Sequence, residues 1–140
     1  MSDSSTEPAA AASAPKSPAA GTKVLVVDDE PAMVAIIQAT LEGAGCEVEA
    51  AGDGFEAVEK ARGFPMDLLV VDLIMPRMGG PETIRTLRSQ QPGLPVVVVS
   101  GLANEEARAL APEAGVILHK PFSILELLAA AGKALQEPAA

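Results

Sequence analysis

The sequence predicts an α/β fold in which five parallel strands form one sheet, covered by helices on both faces. Short runs rich in valine and leucine alternate with stretches of helical periodicity, which is typical of a parallel sheet with right-handed crossovers. Three of the runs are apolar without interruption, as strands buried on both faces are. With 140 residues, of which 49% are hydrophobic, the chain can bury one core of ordinary size.

The first strand and helix begin at Lys23. Residues 23–27 form an apolar, mostly β-branched run, and the acidic residues that follow suit the positive end of a helix, which Pro31 opens. This helix is predicted to end at Gly43 and Gly45. Its apolar residues recur at helical spacing and are Val34, Ile37 and Leu41.

The second strand and helix are less apolar than the first. Residues 46–50 alternate between apolar and polar side chains, which is typical of a half-exposed edge strand. Asp53 has the side chain of an N-cap residue, and the helix that it opens is predicted to end near Gly63. That helix runs through Phe55, Val58 and Ala61.

The third strand is the most informative stretch of the chain. The apolar residues 68–72 end in Asp72, and a loop with Pro76 and two glycines follows at once. The Asp72 carboxylate is therefore predicted at the C-terminal tip of a buried strand. Pro81 then opens a helix. Its predicted inward residues are Ile84 and Leu87, and its predicted outward residues are Arg85 and Arg88.

The last two strands and the order of all five follow from composition. Residues 96–100 are apolar up to Ser100, and residues 116–119 form a short strand whose His119 is predicted to point outward. The first, third and fourth strands are the most apolar and belong in the centre, whereas the alternating second strand belongs at an edge. These features favour the flavodoxin-like order 2-1-3-4-5 in a three-layer sandwich.

The last two helices differ in length. Asn104 is predicted to cap a short helix from Glu105 to about Ala111, where Pro112 interferes. Ser123 is predicted to cap the final helix. The continuous apolar stripe of that helix consists of Ile124, Leu127, Leu128, Ala131 and Leu135.

Composition disfavours several classes of function. A net charge of −9 opposes direct binding to nucleic-acid phosphates or to anionic membranes. No apolar run reaches the roughly 18–20 residues that cross a bilayer, and the N-terminus lacks the pattern of a secretory signal. Cys46, the single cysteine, excludes an internal disulfide and is predicted to be partly buried. Together these features predict a cytoplasmic protein.

Polar side chains gather at the strand ends. In the predicted order the first and third strands are neighbours, so Asp28, Asp29 and Asp72 converge there. Ser100 and Lys120 follow the fourth and fifth strands. Crowded carboxylates repel one another unless a proton or a cation intervenes, and hard oxygen ligands with room for water suit Mg²⁺. With Mg²⁺ and Lys120 offsetting negative charge, Asp72 could attack phosphorus while Ser100 hydrogen-bonds a phosphoryl oxygen.

Four motifs, each at the end of a predicted strand, identify a family. They are Asp28-Asp29, Asp72 followed by Met75-Pro76 and Gly80, Ser100-Gly101, and Lys120-Pro121-Phe122. Each motif is weak alone, but their shared order and placement make a strong signal. From about Lys23 to Leu135 the chain resembles the receiver domain of response regulators in two-component signalling.

The resemblance implies a role for each site residue. Asp72 matches the residue that accepts a phosphoryl group from a phosphohistidine on a histidine kinase or a histidine phosphotransfer protein. Asp29 and Asp72 match direct Mg²⁺ ligands, together with the backbone carbonyl of Ile74, and Asp28 matches an acid that acts through water. Ser100 matches the switch hydroxyl. Lys120 matches the lysine that pairs with the phosphoryl group, and the family usually has a cis bond after it, here Lys120–Pro121.

Two departures from the family pattern concern how the signal leaves the domain. Ile117 stands where the family commonly has an aromatic switch residue, and residues 115–120 are about two residues shorter than usual. With Pro112 this predicts a short or irregular fourth helix, and the family's coupled hydroxyl and aromatic movement does not carry over directly. Ile74 and Leu102 flank the predicted site and are expected to hinder hydrolytic water, so we predict a long-lived phosphorylated state.

Other functions and architectures stay open at this point. A pseudo-receiver that only docks partners is possible, whereas an FMN carrier would need a phosphate-binding loop in place of the acidic residues 28–30. A dehalogenase-like phosphatase would need an Asp-x-Asp motif that the chain lacks at its strand ends. Residues 1–21, rich in Ala, Ser and Pro, are predicted to be a disordered tail or linker before a domain of residues 22–137. We expect either a stand-alone receiver that acts by protein contact or a receiver of the hybrid sensor kinase type.

Overall fold

The structure, a computed structural model, describes residues 17–136. Strands and helices alternate along this part of the chain without exception. In chain order they are β1 (Lys23–Val27), α1 (Pro31–Gly43), β2 (Glu47–Ala51), α2 (Gly54–Ala61), β3 (Leu68–Asp72), α3 (Gly80–Gln90), β4 (Val96–Ser100), α4 (Asn104–Leu110), β5 (Val116–His119) and α5 (Ile124–Gln136).

All five strands are parallel and lie in the order β2-β1-β3-β4-β5, so the predicted sheet is confirmed. The register aligns Val27 of β1 with Val71 of β3, and Asp72 with Val99 of β4. Parallel alignment brings the C-terminal ends of all five strands to one edge of the sheet. Side chains that follow the strands therefore meet there.

Two apolar clusters, one on each face of the sheet, make the molecule three layers thick. On one face, valines of β1, β3 and β4 pack against Ile37 and Leu41 of α1 and Leu127 of α5. On the other face, the strands pack against Ile84 and Leu87 of α3 and against alanines of α2 and α4. Alternate residues of each central strand enter opposite clusters, which explains why β3 and β4 are buried throughout.

The helix ends agree with two of the three predicted caps. The Asp53 carboxylate accepts from the Glu56 N–H at 2.8 Å, and Ser123 Oγ accepts from the Glu126 N–H at 3.1 Å. The Asn104 cap is wrong, because Asn104 is the first residue of α4 and Ala103 precedes it without a side-chain hydrogen bond. The short fourth helix is confirmed, since α4 spans 7 residues.

Two predicted side-chain placements are wrong. Arg88 does not face solvent but is half-buried, and its guanidinium donates to the backbone oxygens of Leu94 and Glu113. Arg88 thereby ties the end of α3 to the segment before β5. Ile124 is 62% exposed rather than part of the inward stripe of α5, because that stripe starts one turn later at Leu127.

The structure describes only part of the two chain ends. Of the predicted disordered residues 1–21, residues 1–16 lie outside the described residues. Within the described remainder, Thr22 N–H donates to Ala19 O at 3.1 Å and Gly21 N–H to Gly45 O at 2.9 Å. The domain boundary at residue 22 stays a prediction. Within residues 17–136, every helix is too short or too polar to cross a membrane.

Candidate functional site

Three aspartates meet at the C-terminal edge of the sheet. Asp28 and Asp29 directly follow β1, and Asp72 is the last residue of the neighbouring strand β3. One carboxylate oxygen of each lies within 4.8 Å of one oxygen of the others. Asp28 and Asp72 are buried, whereas Asp29 is exposed. The predicted convergence is therefore what the structure shows.

Lys120 places a positive charge against the two buried carboxylates. Its Nζ lies 3.7 Å from Asp28 Oδ2 and 3.7 Å from Asp72 Oδ1. The Lys120 N–H donates to Ser100 O at 2.8 Å, which joins the residue after β5 to the end of β4. The peptide bond between Lys120 and Pro121 is cis, as the resemblance implied.

Burial and mutual repulsion perturb the buried acids. Burial, and after it the negative charge of Asp28, raise the pKa of Asp72 to about 6, although Lys120 and the Ile74 N–H oppose the shift. Burial also raises the pKa of Asp28, while the Glu30 N–H, which donates to Asp28 Oδ1 at 2.9 Å, lowers it. One lysine therefore faces more negative charge than it can balance.

The donor set fits a hard divalent cation. Within the described part of the chain, the buried Oδ2 of Asp28 has no hydrogen-bond partner, and an unsatisfied buried carboxylate oxygen is costly. Three carboxylates with one member exposed to solvent offer oxygen ligands and room for water, which Mg²⁺ prefers. Histidine and cysteine, the usual ligands of zinc, are absent from this group.

Ser100 and Ile74 border the acids on the neighbouring strand end and loop. Ser100 is buried at the end of β4, which adjoins β3, and its Oγ accepts from the Leu102 N–H at 2.9 Å. Ile74 lies two residues after Asp72, with its side chain 61% exposed. Ile117 is partly buried in β5 and packs against the core on the α3 side of the sheet. The position at which the family commonly has an aromatic residue is therefore held by an isoleucine that packs against the core.

The loop after β3 contains an interaction that the sequence analysis missed. Arg77 has a left-handed backbone, with φ of 66°. Its guanidinium forms an ion pair with the Asp53 carboxylate and lies 5.3 Å from the centre of the Phe55 ring. No pattern in the sequence links residues 24 positions apart, so only the folded chain reveals this contact.

Comparison with known proteins identifies the family of this chain. The family model of the response regulator receiver domain matches residues 24–132. The chain belongs to this family. Receiver domains of response regulators are signalling switches rather than enzymes of the usual kind, and the resemblance stated from the four motifs is confirmed.

Curated relatives of this receiver domain are response regulators. The chain is 38% identical over 107 residues to the probable transcriptional regulatory protein TcrX of Mycobacterium tuberculosis, covering 75% of this chain and 46% of TcrX. It is 38% identical over 107 residues to the alkaline phosphatase synthesis transcriptional regulatory protein PhoP of Bacillus subtilis, covering 75% of this chain and 45% of PhoP. The chain spans about half the length of the curated relatives that it matches.

Solved receiver structures share its fold. The chemotaxis response regulator CheY4 of Vibrio cholerae superimposes with a TM-score of 0.76 at 34% identity, over 81% of this chain and 98% of CheY4. A CheY-like receiver domain protein of Methanospirillum hungatei gives a TM-score of 0.76 at 27% identity, over 83% and 94% of the two chains. The predicted flavodoxin-like sandwich is confirmed.

Proposed function

We propose that this receiver domain accepts a phosphoryl group on Asp72 with the help of Mg²⁺ and changes its partner binding as a result. The observation that carries the proposal is the meeting of Asp28, Asp29 and Asp72 around Lys120 at the end of the sheet. Acceptance of phosphate needs a nucleophile, a cation site and a fixed positive charge close together. This edge of the sheet supplies residues suited to all three.

The residues that would hold Mg²⁺ are those that the family pattern matches. Asp29, Asp72 and the backbone carbonyl of Ile74 would be direct ligands, and Asp28 would act through water. Mg²⁺ bound there would supply positive charge against the carboxylates and the phosphoryl oxygens. Asp28 Oδ2 supports this assignment, because within the described residues it is buried without a hydrogen bond, and Lys120 Nζ lies 3.7 Å from it, beyond hydrogen-bond distance.

In the transfer itself, Asp72 acts as the nucleophile. With a pKa of about 6 the carboxylate is mostly ionised at neutral pH, so an oxygen can attack phosphorus without a separate base. The bond from phosphorus to the donor breaks, and its electron pair stays on the donor. Lys120 is placed to pair with the phosphoryl oxygens, and Ser100 is the candidate hydroxyl to donate a hydrogen bond to one of them.

The donor class follows from the family. We propose a histidine kinase or a histidine phosphotransfer protein as the phosphodonor, in the cytoplasm, and a protein as the downstream partner. The surplus of acidic residues disfavours direct contact of this domain with nucleic acid. Ile117 stands in place of the aromatic residue that the family usually moves together with the switch hydroxyl. Other side chains must therefore transmit the phosphorylation signal to the partner.

Incubation with acetyl phosphate and Mg²⁺ tests the proposal. The intact mass should rise by one phosphate, and Asp72→Asn or removal of Mg²⁺ by EDTA should abolish the increase. Asp67→Asn is the matched control, since Asp67 precedes the same strand that Asp72 ends and lies at the opposite edge of the sheet. It should leave phosphorylation unchanged.

The same test distinguishes a phosphorylatable receiver from a pseudo-receiver. If the folded protein takes no phosphate from acetyl phosphate or from a phosphorylated histidine donor with Mg²⁺ present, the chain is a docking module of the pseudo-receiver kind. If Asp72→Asn is phosphorylated as readily as the wild type, another residue is the acceptor.

A further inference from the structure

The start of α2 packs closely against the loop after β3. A Cβ atom placed on Gly54 would lie 2.2 Å from Thr83 Oγ1 and 2.6 Å from Met78 Sδ. Only glycine leaves room for this approach. Met78 belongs to the loop and is buried, so the loop rests directly on the first residue of α2.

Arg77, beside Met78, has a backbone conformation that arginine normally avoids. Its φ of 66° makes it the only non-glycine residue with positive φ in the described range 17–136. A Cβ atom is crowded in this conformation, and such strain persists only where surrounding contacts hold it. Strained residues of this kind concentrate at functional sites, where they fix a loop in one arrangement.

Two side chains of α2 and its cap hold Arg77 in place. Asp53 pairs with the guanidinium through Oδ2, while its Oδ1 accepts the Glu56 N–H that caps α2. The Phe55 ring lies 5.3 Å from the guanidinium carbon, within the range of a cation–π contact. A planar, delocalised guanidinium suits a carboxylate and an aromatic face together better than a compact ammonium group does.

The segment that Arg77 holds is the one next to the proposed phosphate acceptor. The loop of residues 73–79 starts directly after Asp72, and the Gly80 N–H donates to Leu73 O at 3.0 Å to close its base. Within the loop, the Ile74 N–H lowers the pKa of the Asp72 carboxyl, so the backbone of Ile74 lies beside that group. The base of the loop is thus fixed by the backbone, and its tip is fixed by Arg77.

We propose that Arg77 is a positioning residue for the phosphorylation of Asp72, because its contacts with Asp53 and Phe55 hold the loop with the Ile74 backbone facing the carboxylate. This inference rests on the proposed function. Arg77 acts through the loop, since among the described residues no hydrogen bond or ion pair joins it to Asp28, Asp29 or Asp72. It would thereby hold the backbone carbonyl of Ile74, which the family pattern matches to a Mg²⁺ ligand, in place relative to Asp72.

Arg77→Gly tests the inference, because glycine accepts the positive φ while the contacts with Asp53 and Phe55 disappear. The Mg²⁺ concentration for half-maximal phosphorylation by acetyl phosphate should rise about tenfold, the lower end of what supporting residues contribute to metal sites. In the metal-free protein, hydrogen exchange of the amides in residues 73–79 should become faster. The midpoint of urea unfolding should change little, because relief of strain offsets the lost contacts.

Further variants separate positioning from simple stabilisation. Asp53→Asn keeps a cap acceptor for Glu56 but removes the charge that pairs with Arg77, so it should raise the Mg²⁺ requirement in the same way. The double variant with Arg77→Gly should be no worse than either single change, since both remove one interaction. Arg77→Lys should need less Mg²⁺ for half-maximal phosphorylation than Arg77→Gly, but more than the wild type. Arg62→Gly is the matched control, because Arg62 pairs with Glu59 at the far end of α2 and has no other ion pair within residues 17–136.

Two results would overturn the inference. One is a wild-type Mg²⁺ requirement in both Arg77→Gly and Asp53→Asn, and the other is unchanged exchange of residues 73–79. Failure of the proposed function is visible separately, because the wild type itself would then take no phosphate. In that case the positioning role is refuted along with it.

Discussion

The side chain of Asp72 is buried, and burial disfavours the ionised form of its carboxyl group. Burial and the neighbouring Asp28 raise its pKa to about 6, and Lys120 only partly offsets them. Burial destabilises an ionised carboxylate. A bound cation, or loss of the negative charge, therefore stabilises a buried carboxylate more than an exposed one. The residue is therefore poised for reaction by its surroundings.

Ile74 is the residue for which the sequence predicts an effect on the lifetime of the phosphate. Its exposed, apolar side chain sits two residues after Asp72 and cannot orient an attacking water. Ile74→Asn should speed autodephosphorylation about threefold to tenfold, equivalent to about 0.7–1.4 kcal/mol of activation free energy. The loss of the added mass after removal of phosphodonor measures this rate.

A matched control for this prediction lies on α1. Ile36 is 51% exposed and lies on the helix surface, so Ile36→Asn makes the same chemical change on another element. Its rate should equal that of the wild type. A rate for Ile74→Asn that is unchanged or slower would show that Ile74 does not screen the phosphate.

Residues at the site differ in how far sequence could predict them. Asp28, Asp29, Asp72 and Lys120 each lie at the C-terminal end of an apolar strand or directly after it, so the strand order alone brings them together. The contact of Arg77 with Asp53 has no such signal. It depends on a left-handed arginine and on the close approach of a helix to a loop, which are properties of tertiary packing.

At the scale of elements, the start of α3 is fitted to the end of β3. A Cβ atom on Gly80 would lie 2.5 Å from the Asp72 backbone oxygen and 2.8 Å from the Leu73 Cα. These are backbone atoms, so a side chain could enter only if the strand end or the helix shifted. The geometry of the acceptor therefore depends on a glycine that carries no chemistry.

Gly80→Ala should destabilise the fold by about 1–3 kcal/mol, the usual cost of overpacking. Urea unfolding measures the change. Gly43→Ala is the control, because a Cβ atom there meets nothing within 4 Å. Since alanine favours helix, Gly43→Ala should be unchanged or up to about 1 kcal/mol more stable. Equal stability of Gly80→Ala and the wild type would mean that the two elements adjust to each other freely.

Element types were more predictable than the ends and faces of helices. Hydrophobic periodicity identified every strand and helix, because burial on one or two faces leaves a regular pattern. Arg88 was misplaced because the pattern treats arginine as outward, whereas the backbone oxygens of Leu94 and Glu113 satisfy its buried guanidinium. Ile124 was misplaced because an apolar residue in the first turn of a helix can extend beyond the sheet that the helix covers.

For the molecule as a whole, the site reduces stability near neutral pH. The folded state binds a proton on Asp72 more tightly than the unfolded state, because its pKa is raised from 3.8 to about 6. Stability from this group is therefore present below its unfolded pKa and is lost as the pH rises from about 4 to about 6. Function and stability oppose each other at this residue.

Asp72→Asn should accordingly stabilise the metal-free protein by about 1–2 kcal/mol near pH 7.5, after allowance for solvent screening. The gain should shrink towards zero near pH 4, where the wild-type carboxyl is protonated in the folded state. Urea unfolding in EDTA at both pH values measures the difference. A gain of the same size at both would contradict the assignment of the effect to charge.

Asp53→Asn should show the opposite sign. The Glu56 N–H and then Arg77 lower the pKa of Asp53, so its ionised form stabilises the fold. The variant should lose stability near neutral pH, and this loss should disappear as the pH falls below about 3.8. Urea unfolding as a function of pH would then show opposite stability changes for Asp72→Asn and Asp53→Asn.

The division of labour between strands and helices has an evolutionary consequence. Every residue of the proposed site stands at a strand end or in the loop that follows, and the outer surface of α1 contributes none of them. Exposed residues such as Ile36 on α1 and Leu125 on α5 can therefore be exchanged without disturbing the reactive groups. Over evolution, sequence changes can accumulate on these outer surfaces while the reactive groups at the strand ends stay the same.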